Sequence, residues 1–255
     1  GVPFVFELGD LWPASIAAVG AMRQGFFLSL IERLELSLYH SSASVVALTP
    51  AFKENLTGRG IAESKIAVVL NGVDVWRYGP RERDPRLCGR WGLEGRFVVG
   101  YMGTHGMAHG LGNLLDAAER LRGAADVRFL LVGAGADRDG LIAEAGRRGL
   151  YNVVFMPPQP KETMPAVWSL CDVALVHLKN SPVFAGVIPS KMFEAMAMGL
   201  PVLLGAALEG LKRGLPGNSP RTALIRWALA DLQLQLPRLQ LAMMALLLAL
   251  ARCFP

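Results

Sequence analysis

The sequence has little cysteine or histidine, and neither residue type forms a complete set of metal ligands. Its three cysteines, Cys88, Cys171 and Cys253, lie far apart and form no Cys-x-x-Cys motif. His105 and His109 are four residues apart, but they stand in the glycine-rich stretch GTHGMAHGLG without a carboxylate at ligand spacing. We therefore expect no metal site, and we interpret the cysteines as buried or idle thiols of a reducing compartment.

Charge and long apolar runs are also scarce. Charged residues make up 18% of the 255 residues and the net charge is +5. No basic stripe is interleaved with aromatic residues, so nucleic acid is not an expected partner. The longest late apolar run, LAMMALLLALA at 241–251, is too short to span a bilayer. Apolar residues reach 52%, which is typical of a globular chain with a sizeable core.

Both ends of the sequence are unusual. The chain opens with GVPFVFELGDLWP, without Met, and Val2–Leu8 already has the pattern of a buried strand. We interpret this as a start inside a domain. The last 53 residues contain no valine but 16 leucines, whereas the first 202 residues contain 21 valines. This bias predicts that 206–255 is an atypical tail, either the product of a frameshift or an amphipathic, membrane-associating segment.

Between these ends, strand and helix patterns alternate, which predicts parallel sheets covered by helices. We expect a partial Rossmann-like domain over 1–80, a linker over 81–96 and a second Rossmann-like domain over 97–205. The fold class is therefore α/β, with two doubly wound parallel-sheet domains of which the first is incomplete. Helix 26–40 carries several apolar residues. We expect it to pack in the core, with a membrane-facing role as the alternative.

The stretch IPSKMFEAMAMGLP places charged residues at the start of a predicted helix. Ser190 is a good N-cap, and the free amides of the first turn attract an anion such as a phosphate. Lys191 adds a positive charge, whereas Glu194 suits the hydroxyls of a ribose better than a phosphate. The alternative is an exposed ion pair between Lys191 and Glu194. The glycine-rich loop GYMGTHGMAHG favours the nucleotide interpretation, although it is not a dinucleotide fingerprint.

Seven stretches in order resemble a known enzyme family. They are PFVFELGDLWP, VVALTPAFKENL, KIAVVLNGVD, GYMGTHGMAHGLGNLLDAAERL, VRFLLVGAGADR, NVVFMPPQPKETMP and CDVALVHLKNSPVFAGVIPSKMFEAMAMGLPVLL. Over about 3–204 the chain resembles a family-4 glycosyltransferase with the two-Rossmann GT-B fold. It is most similar to the branch that builds bacterial O-antigen, capsule and exopolysaccharide, including fucosamine-transferase-like members.

The resemblance implies site residues. Glu194 matches the second Glu of the family's Glu-x7-Glu motif, which holds the donor ribose, and Lys191 with Ser190 would hold the diphosphate. The loop residues that would approach the donor from the other side are Gly103, Thr104, His105 and Gly106. Glu7 and Asp10 match the acidic motif that faces the reaction centre.

The chain also departs from the family pattern. Gly186 stands where the first Glu of the Glu-x7-Glu motif is expected, which puts that contact to the donor sugar in doubt. Thr104 and His109 replace a basic pair that many relatives carry, and Gly9 replaces a polar residue. Nothing after Gly205 resembles the closing helices of the family.

The implied reaction is sugar transfer, with retention at the anomeric carbon, from a nucleotide-sugar, expected to be UDP-linked. The acceptor would be a lipid-linked saccharide or glycan, and neither a metal nor another cofactor is expected. The enzyme would be cytoplasmic, with peripheral contact at the inner face of the plasma membrane. Three alternatives remain: an inactive donor-binding fragment, a nucleotide-sugar epimerase of the same architecture, and a membrane-peripheral interaction protein.

Overall fold

The structure, a computed structural model, describes residues 2–22 and 25–205. These residues separate into two compact units. The first contains the chain up to Gly72 together with 179–189, and the second contains 73–178 together with 190–205. This division differs from the predicted one, because 73–80 belongs to the second unit and 179–189 to the first. The predicted tail, 206–255, lies outside the described residues.

The first unit is a three-stranded parallel sheet with helices between its strands. Its strands lie in the order β1-β2-β3. In chain order its elements are β1 (Val5–Leu8), α1 (Ala14–Ala18), α2 (Phe26–Ser41), β2 (Ser44–Ala47), α3 (Pro50–Gly58), a short 3₁₀ helix (Glu63–Lys65) and β3 (Ile66–Val68). Tyr39 of α2 and Phe52 and Leu56 of α3 pack on Val45 of the central strand and form the core. The central strand β2 is therefore covered by both neighbouring helices.

Two expectations for this unit hold only in part. The predicted strand Val2–Leu8 shortens to β1, in which two of the four side chains are exposed and one, Leu8, is buried, because β1 is an outer strand of the sheet. Helix α2 packs in the core through Leu36 and Tyr39, but other apolar residues of the helix stay exposed. Phe26 and Phe27 are 76% and 74% exposed, and Leu30 and Leu34 are also exposed. These residues, together with Leu38, form what we call the α2 stripe.

The second unit is a five-stranded sheet in which all paired strands are parallel, in the order β6-β5-β4-β7-β8. Its strands are β4 (Phe97–Met102), β5 (Val127–Val132), β6 (Val153–Met156), β7 (Val173–His177) and β8 (Val202–Gly205). Its helices are α4 (Pro85–Arg90), α5 (Gly112–Arg120), α6 (Arg138–Arg147), α7 (Met164–Trp168) and α8 (Ser190–Ala197). From β4 the chain adds β5 and β6 on one side of the sheet and then β7 and β8 on the other side. The sheet is therefore doubly wound, as predicted.

Alternate residues of β4 face two separate hydrophobic layers. Val99 and Tyr101 pack in the layer that contains α5 and α6, whereas Val98 and Met102 pack in the layer that contains α7 and α8. Since both faces of the strand are covered, its sequence, FVVGYM, is almost entirely apolar. The Gly100 side of the strand is closely covered by Cys171, whose Sγ would lie 2.2 Å from an added Cβ.

The stretch predicted as a linker is an ordered part of the second unit. Asp84 caps α4 by accepting hydrogen bonds from two backbone amides, and Arg83 forms an ion pair with Asp172 at 2.7 Å. Cys88, Trp91 and Leu93 are buried in the α7 and α8 layer. Glycine, proline and arginine suggested a linker, but the three buried apolar side chains anchor this stretch to the sheet.

Candidate functional site

Two glycine loops meet at the carboxyl end of the second sheet. One follows β4 at Gly103 and the other follows β5 at Gly133. A Cβ on Gly133 would lie 1.9 Å from the carbonyl oxygen of Gly103, and one on Gly135 would lie 2.4 Å from that of His105. The His105 amide also donates to the Ala134 carbonyl oxygen at 2.8 Å. The glycines therefore let the two loops form one continuous backbone surface at the strand ends.

Lys191, in the first turn of α8, reaches this surface. Its Nζ would lie 3.0 Å from a Cβ on Gly103, so the glycine leaves the space that the ammonium fills. Nζ also donates to Tyr101 Oη at 2.8 Å and lies 4.1 Å from the centre of that ring. Burial lowers the pKa of Lys191 to about 7, against a smaller opposing effect of Glu194. The ammonium is therefore poorly hydrated and available to an anion.

Glu194, one turn further along α8, is oriented by aromatic residues. Its Oε2 accepts a hydrogen bond from Trp168 Nε1 at 3.0 Å. Tyr78 also interacts with this carboxylate, and burial followed by Glu194 raises the pKa of Tyr78 to about 12. Trp168 and Tyr78 are buried, whereas Glu194 is half-buried. Two neutral donors thus fix the carboxylate and leave acceptor positions for other hydroxyl groups.

The histidines of the site are neutral near pH 7. His105 is fully buried, and neither ring nitrogen has a hydrogen-bond partner among the described residues. Burial lowers its pKa to about 4, helped by Arg138 and Lys191. Burial, with Lys191, also lowers the pKa of His109 to about 4. His109 and His177 each contact the other's backbone carbonyl through Nδ1. These histidines therefore help to shape the loops without adding positive charge.

The structure brings most of the predicted donor-binding residues to one edge of the second unit. Thr104 and Gly103 are exposed there, and Gly106 is half-buried. Ser190 is exposed and is the first residue of α8, one residue earlier than predicted. His105 is placed beneath this surface rather than on it, because its ring packs between Tyr101 and Phe155.

The two predicted catalytic residues lie in the first unit. Glu7 and Asp10 are both exposed, Glu7 in β1 and Asp10 shortly after it. Asp10 Oδ1 accepts a hydrogen bond from the Leu11 amide at 2.8 Å, which fixes its side chain against the following turn. Their catalytic role stays a prediction.

Sequence reasoning missed the aromatic residues that hold Lys191 and Glu194. Tyr101 lies in a strand of apolar residues and has the pattern of core, and Trp168 has the same pattern within a short helix. A buried Tyr or Trp needs a partner for its polar group, which is the signal that could have drawn attention to them.

The described residues show two further features of the molecule. In 2–22 and 25–205, no three histidine, cysteine, aspartate or glutamate side chains converge as a metal site would require. Within the same residues, no helix is both long enough and apolar enough to cross a membrane.

The site itself combines a helix N-terminus, a lysine, glycine backbone and an oriented carboxylate. This set suits a ligand that carries both phosphate and hydroxyl groups.

Part of the chain resembles a known protein family. Residues 96–219 match the family model described as Glycosyl transferases group 1. Over these residues the chain is similar to the group 1 glycosyltransferases. The match continues past Gly205 to residue 219, so the resemblance to the family ends later than the sequence analysis expected. The match agrees with the family resemblance predicted from the sequence, and the fucosamine-transferase-like branch stays a prediction.

Related proteins act in polysaccharide synthesis according to their names. A candidate colanic acid biosynthesis glycosyl transferase of Escherichia coli, WcaI, is 27% identical over 188 residues, which cover 72% of this chain and 46% of that protein. A candidate teichuronic acid biosynthesis glycosyltransferase of Bacillus subtilis, TuaH, is 26% identical over 204 residues, which cover 78% of this chain and 49% of that protein. The chain thus spans about half the length of these relatives.

A solved structure shares the fold of this chain. Anabaena HepE, crystallised with UDP and glucose, superposes with a TM-score of 0.65 at 22% sequence identity. The match covers 84% of this chain and 55% of HepE. At this identity the likeness shows the fold, and it confirms the predicted α/β architecture with parallel sheets similar to that of GT-B enzymes.

Proposed function

We propose that this chain is the donor-binding part of a retaining glycosyltransferase of bacterial surface-polysaccharide synthesis. The enzyme transfers a sugar from a UDP-linked donor to a lipid-linked saccharide or glycan, within the fucosamine-transferase-like branch. One observation carries the proposal: Lys191, the Gly103 backbone and the oriented carboxylate of Glu194 meet at the carboxyl end of the second sheet.

The diphosphate of the donor is proposed to bind at the start of α8. The first amides of a helix have no intrahelical acceptor and carry the positive end of the helix dipole. Lys191, which is half-buried, adds an ammonium beside Gly103, and the glycine loops allow close approach of phosphate oxygens. Ser190 and Thr104 are exposed on this surface and supply hydroxyl groups. His105 supports the loop from below, and Gly106 continues it.

The ribose is proposed to bind Glu194. A carboxylate has about four acceptor positions, and Trp168 and Tyr78 use part of them. The remainder suits the two neighbouring hydroxyls of a ribose. HepE, which shares the fold, was crystallised with UDP and glucose, and this supports the same class of donor here. Glu7 and Asp10 are proposed to serve the reaction centre, and the reaction is proposed to need no resident metal or other cofactor.

The protein is also proposed to work at the cytoplasmic face of the plasma membrane. A lipid-linked acceptor lies in that leaflet, and the α2 stripe presents contiguous exposed apolar side chains. Phe26 and Phe27 are its most exposed members.

Vesicle sedimentation tests this location. The purified chain should sediment with vesicles of phosphatidylethanolamine and phosphatidylglycerol, and the double variant Phe26→Ser with Phe27→Ser should stay in solution. A matched control, Tyr151→Ser, removes an exposed aromatic residue of the second unit and should sediment like wild type. Equal sedimentation of all three proteins would contradict membrane contact through the α2 stripe.

The donor site is tested by thermal unfolding with UDP, GDP, ADP and NAD. A ligand that binds only the folded protein stabilises it by RT ln(1 + [L]/Kd), or about 2.7 kcal/mol at 100 times Kd. We expect UDP to raise Tm most. Glu194→Gln keeps an acceptor for Trp168 but loses the negative charge. The variant should therefore need about ten times more UDP for the same rise in Tm.

A control and a second readout complete this experiment. Glu162→Gln removes the charge of an exposed glutamate in the same unit and should leave the UDP response unchanged. Release of UDP from UDP-sugars, measured on the same protein, separates an active transferase from a fragment that only binds the donor. A response to NAD rather than UDP, or none to any nucleotide, would refute the proposed function.

A further inference from the structure

We propose that Tyr101 is a positioning residue: its hydroxyl and ring hold the Lys191 ammonium above Gly103, where the donor diphosphate binds. This inference rests on the proposed function, because it assigns a role within the same site. Tyr101 was absent from the residues predicted from the sequence. It touches no proposed ligand and acts through Lys191.

The hydrogen bonds of Tyr101 make its hydroxyl an acceptor for Lys191. Tyr101 Oη donates its only hydrogen to the Thr104 carbonyl oxygen at 2.8 Å. It must therefore accept the hydrogen bond from Lys191 Nζ, also at 2.8 Å. One hydroxyl thus connects the loop after β4 with the first turn of α8. These are the two elements that are proposed to hold the diphosphate.

The ring adds a second attraction. Lys191 Nζ lies 4.1 Å from the centre of the Tyr101 ring, within the range of a cation–π interaction. Tyr101 is fully buried, so neither its ring nor its hydroxyl moves readily. A lysine side chain has four rotatable bonds and samples many conformers when it is unconstrained. Fixing the ammonium before the ligand arrives lowers the entropy that binding must remove.

The same arrangement affects the charge of Lys191. Burial disfavours the ammonium, while a hydrogen bond from it to a fixed acceptor favours it. Near neutral pH the two protonation states of Lys191 are close in free energy, since its pKa is about 7. A phosphate binds the protonated form, so UDP affinity should decrease as pH rises above 7. Removal of the Tyr101 hydroxyl should shift this decrease to lower pH.

The test compares Tyr101→Phe with Tyr39→Phe. Both tyrosines are fully buried and hydrogen-bonded, but Tyr39 lies in the first unit and donates to Glu35. The first readout is the titration of the Lys191 side chain by NMR with ¹³C-labelled lysine, with the signal assigned by its loss in Lys191→Met. The second readout is UDP affinity by calorimetry from pH 6 to pH 9.

We expect Tyr101→Phe to titrate Lys191 at a lower pH than wild type and to weaken UDP binding about tenfold at pH 7. Tyr39→Phe should lower stability but change neither readout. An unchanged Lys191 titration in Tyr101→Phe, or an equal change in Tyr39→Phe, would overturn the inference. In that case, UDP binding by the wild-type protein would still support the proposed function. If Lys191 titrates at a lower pH in Tyr101→Phe but the wild-type protein does not bind UDP, the proposed function is refuted. The contact by which Tyr101 positions Lys191 is then still supported.

Discussion

Lys191 and Gly103 depend on each other within the site. The lysine fills the space that a side chain at position 103 would occupy, and Gly103 has a φ of 133°, which favours glycine. The sequence predicted both residues as donor-binding, because each stands where a strand end or helix start faces a ligand. It could not predict their contact, which depends on how β4 and α8, far apart along the chain, pack in the folded unit.

His105 makes stability sensitive to acid. Its pKa is lowered from 6.5 to about 4, so the unfolded chain binds a proton below pH 6.5 that the folded protein does not bind until about pH 4. The contribution of His105 to stability is therefore constant above pH 6.5 and decreases as pH falls from 6.5 toward 4, by about 3 kcal/mol for this residue. His109 acts in the same direction.

Urea unfolding between pH 7 and pH 4.5 measures this effect. In His105→Phe, a ring of similar size replaces the histidine between Tyr101 and Phe155, and about half of the acid sensitivity should be lost. His40→Gln changes an exposed histidine and should keep the wild-type slope. A wild-type slope in His105→Phe would show that His105 does not titrate as its burial requires.

Segment 179–189 is attached to α3 of the first unit. Thr49 Oγ1 donates to the Gly186 carbonyl oxygen at 2.9 Å and also accepts from the Phe52 amide, which caps α3. A Cβ on Gly186 would lie 2.7 Å from the Cβ of Ala51. Gly186 is the position at which the family resemblance led us to expect a glutamate. The close packing on α3 explains why a side chain is absent there.

Substitution of Gly186 should therefore destabilise the first unit. Gly186→Ala forces α3 and segment 179–189 apart, and overpacking of this kind costs about 1–3 kcal/mol. Gly58→Ala, at the exposed end of the same helix with open space around it, should be neutral or stabilising. Chemical denaturation of both variants checks the difference. Equal stabilities would contradict the close packing of Gly186 on Ala51.

At the scale of elements, periodicity predicted the second unit well. The predicted domain over 97–205 begins at the first residue of β4, Phe97, and ends at the last residue of β8, Gly205. Strands buried on both faces are apolar throughout, and this pattern needs no knowledge of their partners. Helix α2 was also located, but its burial was not. The apolar residues of an amphipathic pattern do not show whether another element covers them.

At the scale of the whole molecule, the sequence predicted two parallel-sheet units but not how the chain is shared between them. Composition suggested a linker at 81–96, where the structure has α4 and three buried apolar residues. The composition of a short stretch indicates which backbone conformations it favours. The unit to which the stretch belongs depends instead on contacts with residues far away in the sequence. Tyr78 and Trp168, which hold Glu194, were missed for the same reason.

The chain passes from one unit to the other at Gly72, leaves the second unit after Leu178 and returns to it at Ser190. Exchange of the second unit with that of a relative through a single junction, by gene recombination or in the laboratory, would therefore also replace segment 179–189 of the first unit. A splice after Gly72 would import a foreign 179–189 and set it against the native Ala51, where only a glycine fits. Chimaeras should accordingly need three junctions, or a compatible small residue at position 186. Among natural exchanges between related genes, selection should favour those that keep a small residue at position 186.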